Sequence, residues 1–169
     1  RDPGARVVDV GSGGGVPAIP LALARPDLKF TLVESTQKKA AFLQAVAKAV
    51  GLTNVAVRAQ RAELVGQAEL RGVFDVATAR AVGRIAMLAP LTAPLVKAGG
   101  RVLLIKGQRA DEELEEATLV LAEQRCTHEQ TLDTPTGLIT RAYPPTPSPL
   151  SPSCTSMKRA PSAASPCSR

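Results

Sequence analysis

Val7-Val8-Asp9-Val10-Gly11-Ser12-Gly13-Gly14-Gly15-Val16-Pro17 is the stretch on which the fold turns. A β-branched run ends at an acid, glycines alternate, and Pro17 opens an apolar stretch from Ala18 to Ala24. Strand, glycine loop and helix in that order bind a nucleotide-like ligand at the edge of a parallel sheet. Glycines let the backbone turn sharply and let a ligand lie against bare main-chain N–H groups. Pro17 suits the first helical position, where its missing N–H costs nothing.

The glycines can be read in two registers. From Asp9 the pattern is acid-x-Gly-x-Gly-x-Gly, through Gly11, Gly13 and Gly15. This reading places a carboxylate at the strand exit, where it can hold a ligand's ammonium. From Gly13 the pattern is Gly13-x-Gly15-x-x-Ala18, a permitted dinucleotide loop. That second register would serve an NAD(P)-dependent oxidoreductase, which also needs a Tyr, Lys or His near the nicotinamide. Tyr143 is the sole tyrosine and stands far down the chain.

Outward from the loop, strand-like runs alternate with helical ones. Arg6–Val10, Lys29–Glu34, Val55–Arg58, Phe74–Ala79 and Arg101–Lys106 read as strands. Pro17–Ala24, Gln37–Val50, Ala62–Glu69, Ile85–Lys97 and Asp111–Glu123 read as helices, with kinks at Pro90 and Pro94. Ser35-Thr36 can cap the second helix, and Gly51 can end it as a left-handed residue. Ala41, Phe42, Ala45, Val46 and Ala49 are its expected buried face. The pattern predicts an α/β fold with an open, doubly wound, mostly parallel, Rossmann-like sheet. Residues 1–133 form the expected core. From Thr134 onward Pro, Ser, Thr and Ala dominate, and 134–169 read as an unstructured tail.

Length and composition suit one domain with a core of Val, Leu, Ile and Ala, since aromatics are only 2%. No apolar run is long enough to span a membrane, and residues 1–25 do not read as a signal peptide. Cys126, Cys154 and Cys167 have no metal-site spacing and are expected to be reduced, in a cytoplasmic protein that holds no metal. The net charge of +6 invites a nucleic-acid partner. Yet Arg141, Lys158, Arg159 and Arg169 lie beyond the last acid, Asp133, so the expected core is only mildly basic.

Ligands of such sheets sit at the carboxyl ends of the strands. Asp9 and Gly11 follow the first strand, and Glu34 ends the second, about 20 residues beyond the loop, where an acid can accept from both ribose hydroxyls. Ala62 and Glu63 follow the third strand and could flank an adenine. Arg80 follows the fourth and points towards the crevice. Lys38, Lys39, Arg84, Lys106 and Arg109 stand near loop ends, each readable as a phosphate contact or an ordinary surface charge. No Ser-His-Asp set or Walker lysine can be assembled, and no residue is assigned as catalytic. Methyl transfer from a sulfonium to a ring nitrogen needs in-line positioning more than acid–base machinery. Guanine N7 is such an acceptor, with no proton to remove.

Asp9-Val10-Gly11-Ser12-Gly13-Gly14-Gly15-Val16-Pro17-Ala18-Ile19-Pro20-Leu21 resembles the glycine-loop motif of the RsmG (GidB) family of bacterial 16S rRNA guanine-N7 methyltransferases. Arg25-Pro26, Lys38-Lys39 with Phe42-Leu43, Arg61-Ala62-Glu63, Phe74-Asp75, Arg80-Ala81 and Lys106-Gly107 continue the similarity over roughly residues 5–125. The resemblance implies a class I methyltransferase fold, S-adenosylmethionine as cofactor, and 16S rRNA or the 30S subunit as partner. It implies that Gly11 and Val16 line the methionine and ribose of the cofactor. Glu34, Ser35 and Thr36 would meet the ribose and adenine edge, Ala62 and Glu63 would flank the adenine, and Arg80 would close the crevice towards the substrate. Against the family pattern, the chain reads as N-terminally truncated with an atypical C-terminal tail. A cofactor-binding remnant without turnover is the non-enzymatic alternative.

Overall fold

The computed structural model describes residues 3–67, 70–80, 82–134 and 137–143. The first half alternates as the sequence predicts: β1 (Arg6–Val10), α1 (Ala18–Ala24), β2 (Lys29–Val33), α2 (Gln37–Ala49), β3 (Val55–Arg58) and α3 (Ala62–Gln67). Then follow β4 (Phe74–Arg80), α4 (Ile85–Thr92), a 3-10 turn (Ala93–Leu95) and β5 (Val96–Lys106). The chain continues as α5 (Ala110–Glu116), α6 (Thr118–Glu123), β6 (Thr127–Thr134) and β7 (Gly137–Tyr143).

Among the described residues the strands form one seven-stranded sheet in the order β3-β2-β1-β4-β5-β7-β6. β1 to β5 pair in parallel, while β7 runs antiparallel to both β5 and β6. The order reverses between β1 and β4, the point at which doubly wound sheets open a crevice.

Alternation along β1 divides the core. Val8 and Val10 face a cluster with Ala77, Ala79, Ile85, Leu88, Val102 and Leu104. Val7 faces the other layer, where Ala18, Ile19 and Ala22 of α1 and Leu43 and Ala47 of α2 pack on Phe30 and Leu32. α1 and α2 cover one face of the sheet over β1 and β2, and α3, α4 and α6 cover the other, which leaves the carboxyl ends of β1 and β2 open.

Several local expectations shift. Pro17 sits at the N-cap of α1, just outside the helix. On α2 the buried stripe is Ala40, Leu43 and Ala47, spaced at helical period, and Phe42 is 54% exposed. Thr36 is the N-cap of α2, but its hydroxyl makes no capping bond. Gly51 does take the left-handed conformation, with φ +71°. The long helix expected over Ile85–Lys97 stops at Thr92, because Pro94 has no N–H to continue it. The expected acidic helix is two helices that meet at Ala117. Past Thr134, where the tail was expected, Gly137–Tyr143 pairs with β5 from Leu138 to Ala142. The remainder of that stretch, 144–169, lies outside the described residues, as does Ala81. Cys126 is a free, buried thiol, and burial pushes its pKa up. Among the described residues no helix is long and apolar enough to cross a membrane.

Candidate functional site

The site is built on the pairing of β1 with β4. Asp9 and Thr78 are partners in register, so their side chains leave the same face of the sheet. The Thr78 hydroxyl donates to Asp9 Oδ1 at 2.6 Å. Asp9 is 2% exposed. Burial pushes its carboxyl above the ordinary value, against hydrogen bonds from Thr78 and Ser12 and the charge of Arg80. A carboxylate that is costly to ionise in its own pocket gains from a cation at the crevice.

Beyond Asp9 the chain turns over the end of β2. The amides of Gly11 and Ser12 both donate to Val33 O, at 2.9 and 3.2 Å. Gly11 has φ +71°, and a Cβ there would stand 2.6 Å from Val82 Cγ2. Only glycine lets the loop pass this close under Val82. Gly15 N closes the loop on Ser12 O at 2.7 Å, and Ile19 N joins it to α1 through Gly15 O.

Glu34, the residue after β2, is also buried. Its Oε2 accepts from Gly13 N at 2.9 Å and its Oε1 from Thr36 N at 2.8 Å. One carboxylate thus ties the glycine loop to the start of α2. Burial pushes its pKa up, but the Thr36 and Gly13 bonds and the charge of Lys39 outweigh it, leaving the group below the ordinary 4.5. A carboxylate has about four lone-pair sites, and the two amides with the Thr36 hydroxyl do not fill them, so acceptor capacity remains for a ligand.

The sign of that shift gives a testable pH dependence. A folded-state pKa below the unfolded one makes the ionised group stabilising above about pH 4.5, and this is lost as pH falls through the folded value. Asp75 and Glu113 act in the same sense, and Asp9 in the opposite one. Urea midpoints are expected to fall below about pH 4.5, with a shallower fall in Glu34→Gln. Equal slopes for the two proteins would show that Glu34 is not perturbed.

Two adjoining cavities open at this rim. One, of about 440 Å³, is lined by Gly11, Ser12, Gly13, Gly14, Val16, Glu34, Ser35, Thr36, Lys39, Arg80 and Val82. The other, of about 140 Å³, is lined by Val10, Gly11, Val33, Ser35, Gln60, Arg61, Ala62, Glu63, Val82 and Leu91. Gly11, Ser35 and Val82 belong to both. Of the residues singled out in the sequence, Gly11, Val16, Glu34, Ser35, Thr36, Ala62, Glu63 and Arg80 line these walls, while Asp9, buried two residues before Gly11, lines neither. Lys39 lines the crevice beside Glu34, where the sequence offered only a phosphate contact or an ordinary surface charge. Val82 carries no motif and becomes a wall only through the folding of the β4–α4 loop. A larger groove of about 760 Å³ lies across the sheet face that carries Val7, Val76, Thr78 and Leu103, and reaches Ala5, Arg25 and Gly100 at the opposite ends of the strands. Thr78 and Asp75 line it, but Glu34 and the glycine-loop residues line only the two smaller cavities, which are therefore the candidate site.

The chain matches the family described as GidB, rRNA small subunit methyltransferase G, over residues 1–137. It is 64% identical over 136 residues to the ribosomal RNA small subunit methyltransferase G of Sorangium cellulosum, covering 80% of this chain and 57% of that one. It is 50% identical over 115 residues to the protein of the same name from Pseudarthrobacter chlorophenolicus, covering 68% and 51%. The chain spans about half the length of the curated relatives it matches. Among solved structures it is similar to a mutant of the 16S rRNA (adenine(1408)-N(1))-methyltransferase from Catenulisporales acidiphilia with cosubstrate SAM. There the TM-score is 0.70 at 20% identity, over 85% of this chain and 86% of that one. It is also similar to a ribosomal protein L11 methylase from Lactobacillus delbrueckii, with TM-score 0.65 at 16% identity, over 84% and 70%. These likenesses place the fold among the Rossmann-like class I methyltransferases, as the strand order indicates. By its match over residues 1–137 and its identity to the Sorangium protein, the chain belongs to the rRNA small subunit methyltransferase G family.

Proposed function

We propose that this chain is the core of a cytoplasmic, S-adenosylmethionine-dependent methyltransferase that acts on N7 of a guanosine in the decoding-region loop of 16S rRNA, with the 30S subunit as partner. The observation that carries the reading is the glycine loop at the β1/β4 switch point, flanked by Asp9 on one side and Glu34 on the other. The residues present fit the cofactor. The crevice wall is bare main chain at Gly11, Gly13 and Gly14, the buried Glu34 carboxylate lines it, and the buried Asp9 carboxylate precedes Gly11 by two residues.

Asp9 and its Thr78 partner receive the ammonium of the amino-acid part. Gly11 and Val16 line the methionine and ribose. Glu34 accepts from the ribose hydroxyls with its remaining lone pairs. Ser35, Thr36, Ala62 and Glu63 border the adenine. Arg80, exposed at the end of β4, faces the RNA. When bound, the cofactor supplies an electrophilic methyl on a sulfonium. Guanine N7 offers a free lone pair and no proton, so the chain has to orient its acceptor rather than deprotonate it. The dinucleotide register is not favoured, given the relatives' name and the methyltransferase neighbours.

Calorimetric titration with S-adenosylhomocysteine and, in parallel, NADH tests the cofactor. Micromolar binding of the first alone is expected, and binding of NADH alone would overturn the reading. Methyl transfer to deproteinised 16S rRNA and to 30S subunits, with the product base identified, tests the substrate. Asp9→Asn is expected to weaken S-adenosylhomocysteine by about 10- to 100-fold, the loss of one charge-assisted hydrogen bond. Its melting temperature should not fall, because the charged carboxylate is disfavoured where it stands. Unchanged affinity would remove Asp9 from the ammonium role.

A further inference from the structure

Lys106, readable in the sequence as a surface charge, is the last residue of β5, and its side chain is only 7% exposed. Its ammonium donates to Gly83 O and meets Glu113 Oε2 at 2.7 Å. The same carboxylate oxygen accepts from Ile85 N at 3.1 Å. Ile85 begins α4, whose N-cap, Arg84, provides no capping side chain. Glu113 therefore caps α4 from another helix, where an anion is favoured. Burial pushes its carboxyl up, but Lys106, the Ile85 amide and Arg84 outweigh this and hold it below the ordinary value. Nearby, Arg84 pairs with Glu116 at 3.0 Å, with both side chains about half exposed, an arrangement that contributes little.

The segment held in this way, Gly83 to Ile85, directly follows Val82, the wall shared by both cavities and the side chain that a Cβ at Gly11 would meet. We propose that Lys106 and Glu113 are a positioning pair: they latch the β4–α4 loop so that Val82 holds the shape of the cofactor crevice. The ligand part of this inference rests on the cofactor reading above; the latch itself does not.

The test uses the full chain. In Glu113→Ala, amide exchange at Val82–Ile85 is expected to rise about tenfold while the rest of the sheet keeps its protection. The KM for S-adenosylmethionine should rise about tenfold, with kcat at saturation within about threefold of the parent. Lys106→Met keeps the apolar stem and removes the charge, so it provides the same test if the first variant folds poorly. The double variant should be no worse than the more affected single one, since both break one latch. Glu116→Gln, in the exposed pair, is the unchanged control. Unaltered exchange at Val82–Ile85 in both single variants overturns the latch, whether or not cofactor binds. Faster exchange with unaltered S-adenosylhomocysteine affinity overturns its link to the crevice. If the parent chain binds no S-adenosylhomocysteine, the cofactor reading falls, and the exchange data alone decide on the latch.

Discussion

Glu34→Ala is expected to raise the dissociation constant for S-adenosylhomocysteine about a hundredfold. Two effects combine. The variant removes the acceptor proposed for the ribose hydroxyls, and it leaves the Gly13 and Thr36 amides without their partner. Hydrogen bonds to a charged group contribute roughly 1.5–3 kcal/mol each, and a hundredfold corresponds to about 2.7 kcal/mol. Glu34→Gln keeps one acceptor oxygen and loses the charge, so a loss of about tenfold is expected. Calorimetry on the three proteins gives the order directly. If alanine lowers the melting temperature but leaves affinity within about threefold, Glu34 is a loop clamp and not a ligand group.

Gly15→Ala carries the second large effect, this time on stability. Gly15 has φ +86°, where an L-residue is strained. A Cβ there would stand 2.7 Å from Ile19 Cγ1 and 3.0 Å from Leu43 Cδ2. Both neighbours are buried in the α1–α2 layer, so neither can swing into solvent. Strain and overpacking together are expected to cost about 2–4 kcal/mol, or roughly 5–15 °C in melting temperature. Gly14→Ala is the contrasting variant, since nothing stands within 4 Å of its Cβ and its φ is not positive. Its melting temperature should be nearly unchanged. Equal losses in the two variants would mean that loop glycine content, rather than packing at Gly15, sets stability.

What could be read in the chain was what is local. The β1–loop–α1 unit and the acid after β2 are carried by residues close in sequence, and their types alone specify turn, strand end and helix start. The face of α2 was misread: Ala41, Phe42, Ala45 and Ala49 are exposed and only Val46 is partly buried, because Phe42 drew the apolar stripe towards itself. The sheet instead takes Leu43, and Phe42 remains largely in solvent. β6 was missed because Thr-His-Glu-Gln-Thr-Leu-Asp-Thr has little of the apolar alternation that marks a half-buried strand. β7 was missed because it lies where the composition turns towards Pro and Ser. The Lys106–Glu113 pair and the place of Val82 could not be read, since they depend on α5 folding back over the end of β5. The same holds for the two backbone bonds of Glu34, which need the loop to have closed first.

The position of β7 between β5 and β6 has a consequence during synthesis. The parallel part of the sheet is complete once Lys106 has left the ribosome, and from then on β5 is an edge strand. Its backbone donors and acceptors between Val102 and Lys106 have no neighbour until residues 138–142 emerge and pair with them. An open edge of this kind invites pairing with another nascent chain. Shortening the chain before Gly137 is therefore expected to leave the crevice residues intact in sequence and the protein prone to aggregate, while chains that reach Tyr143 can close their own edge.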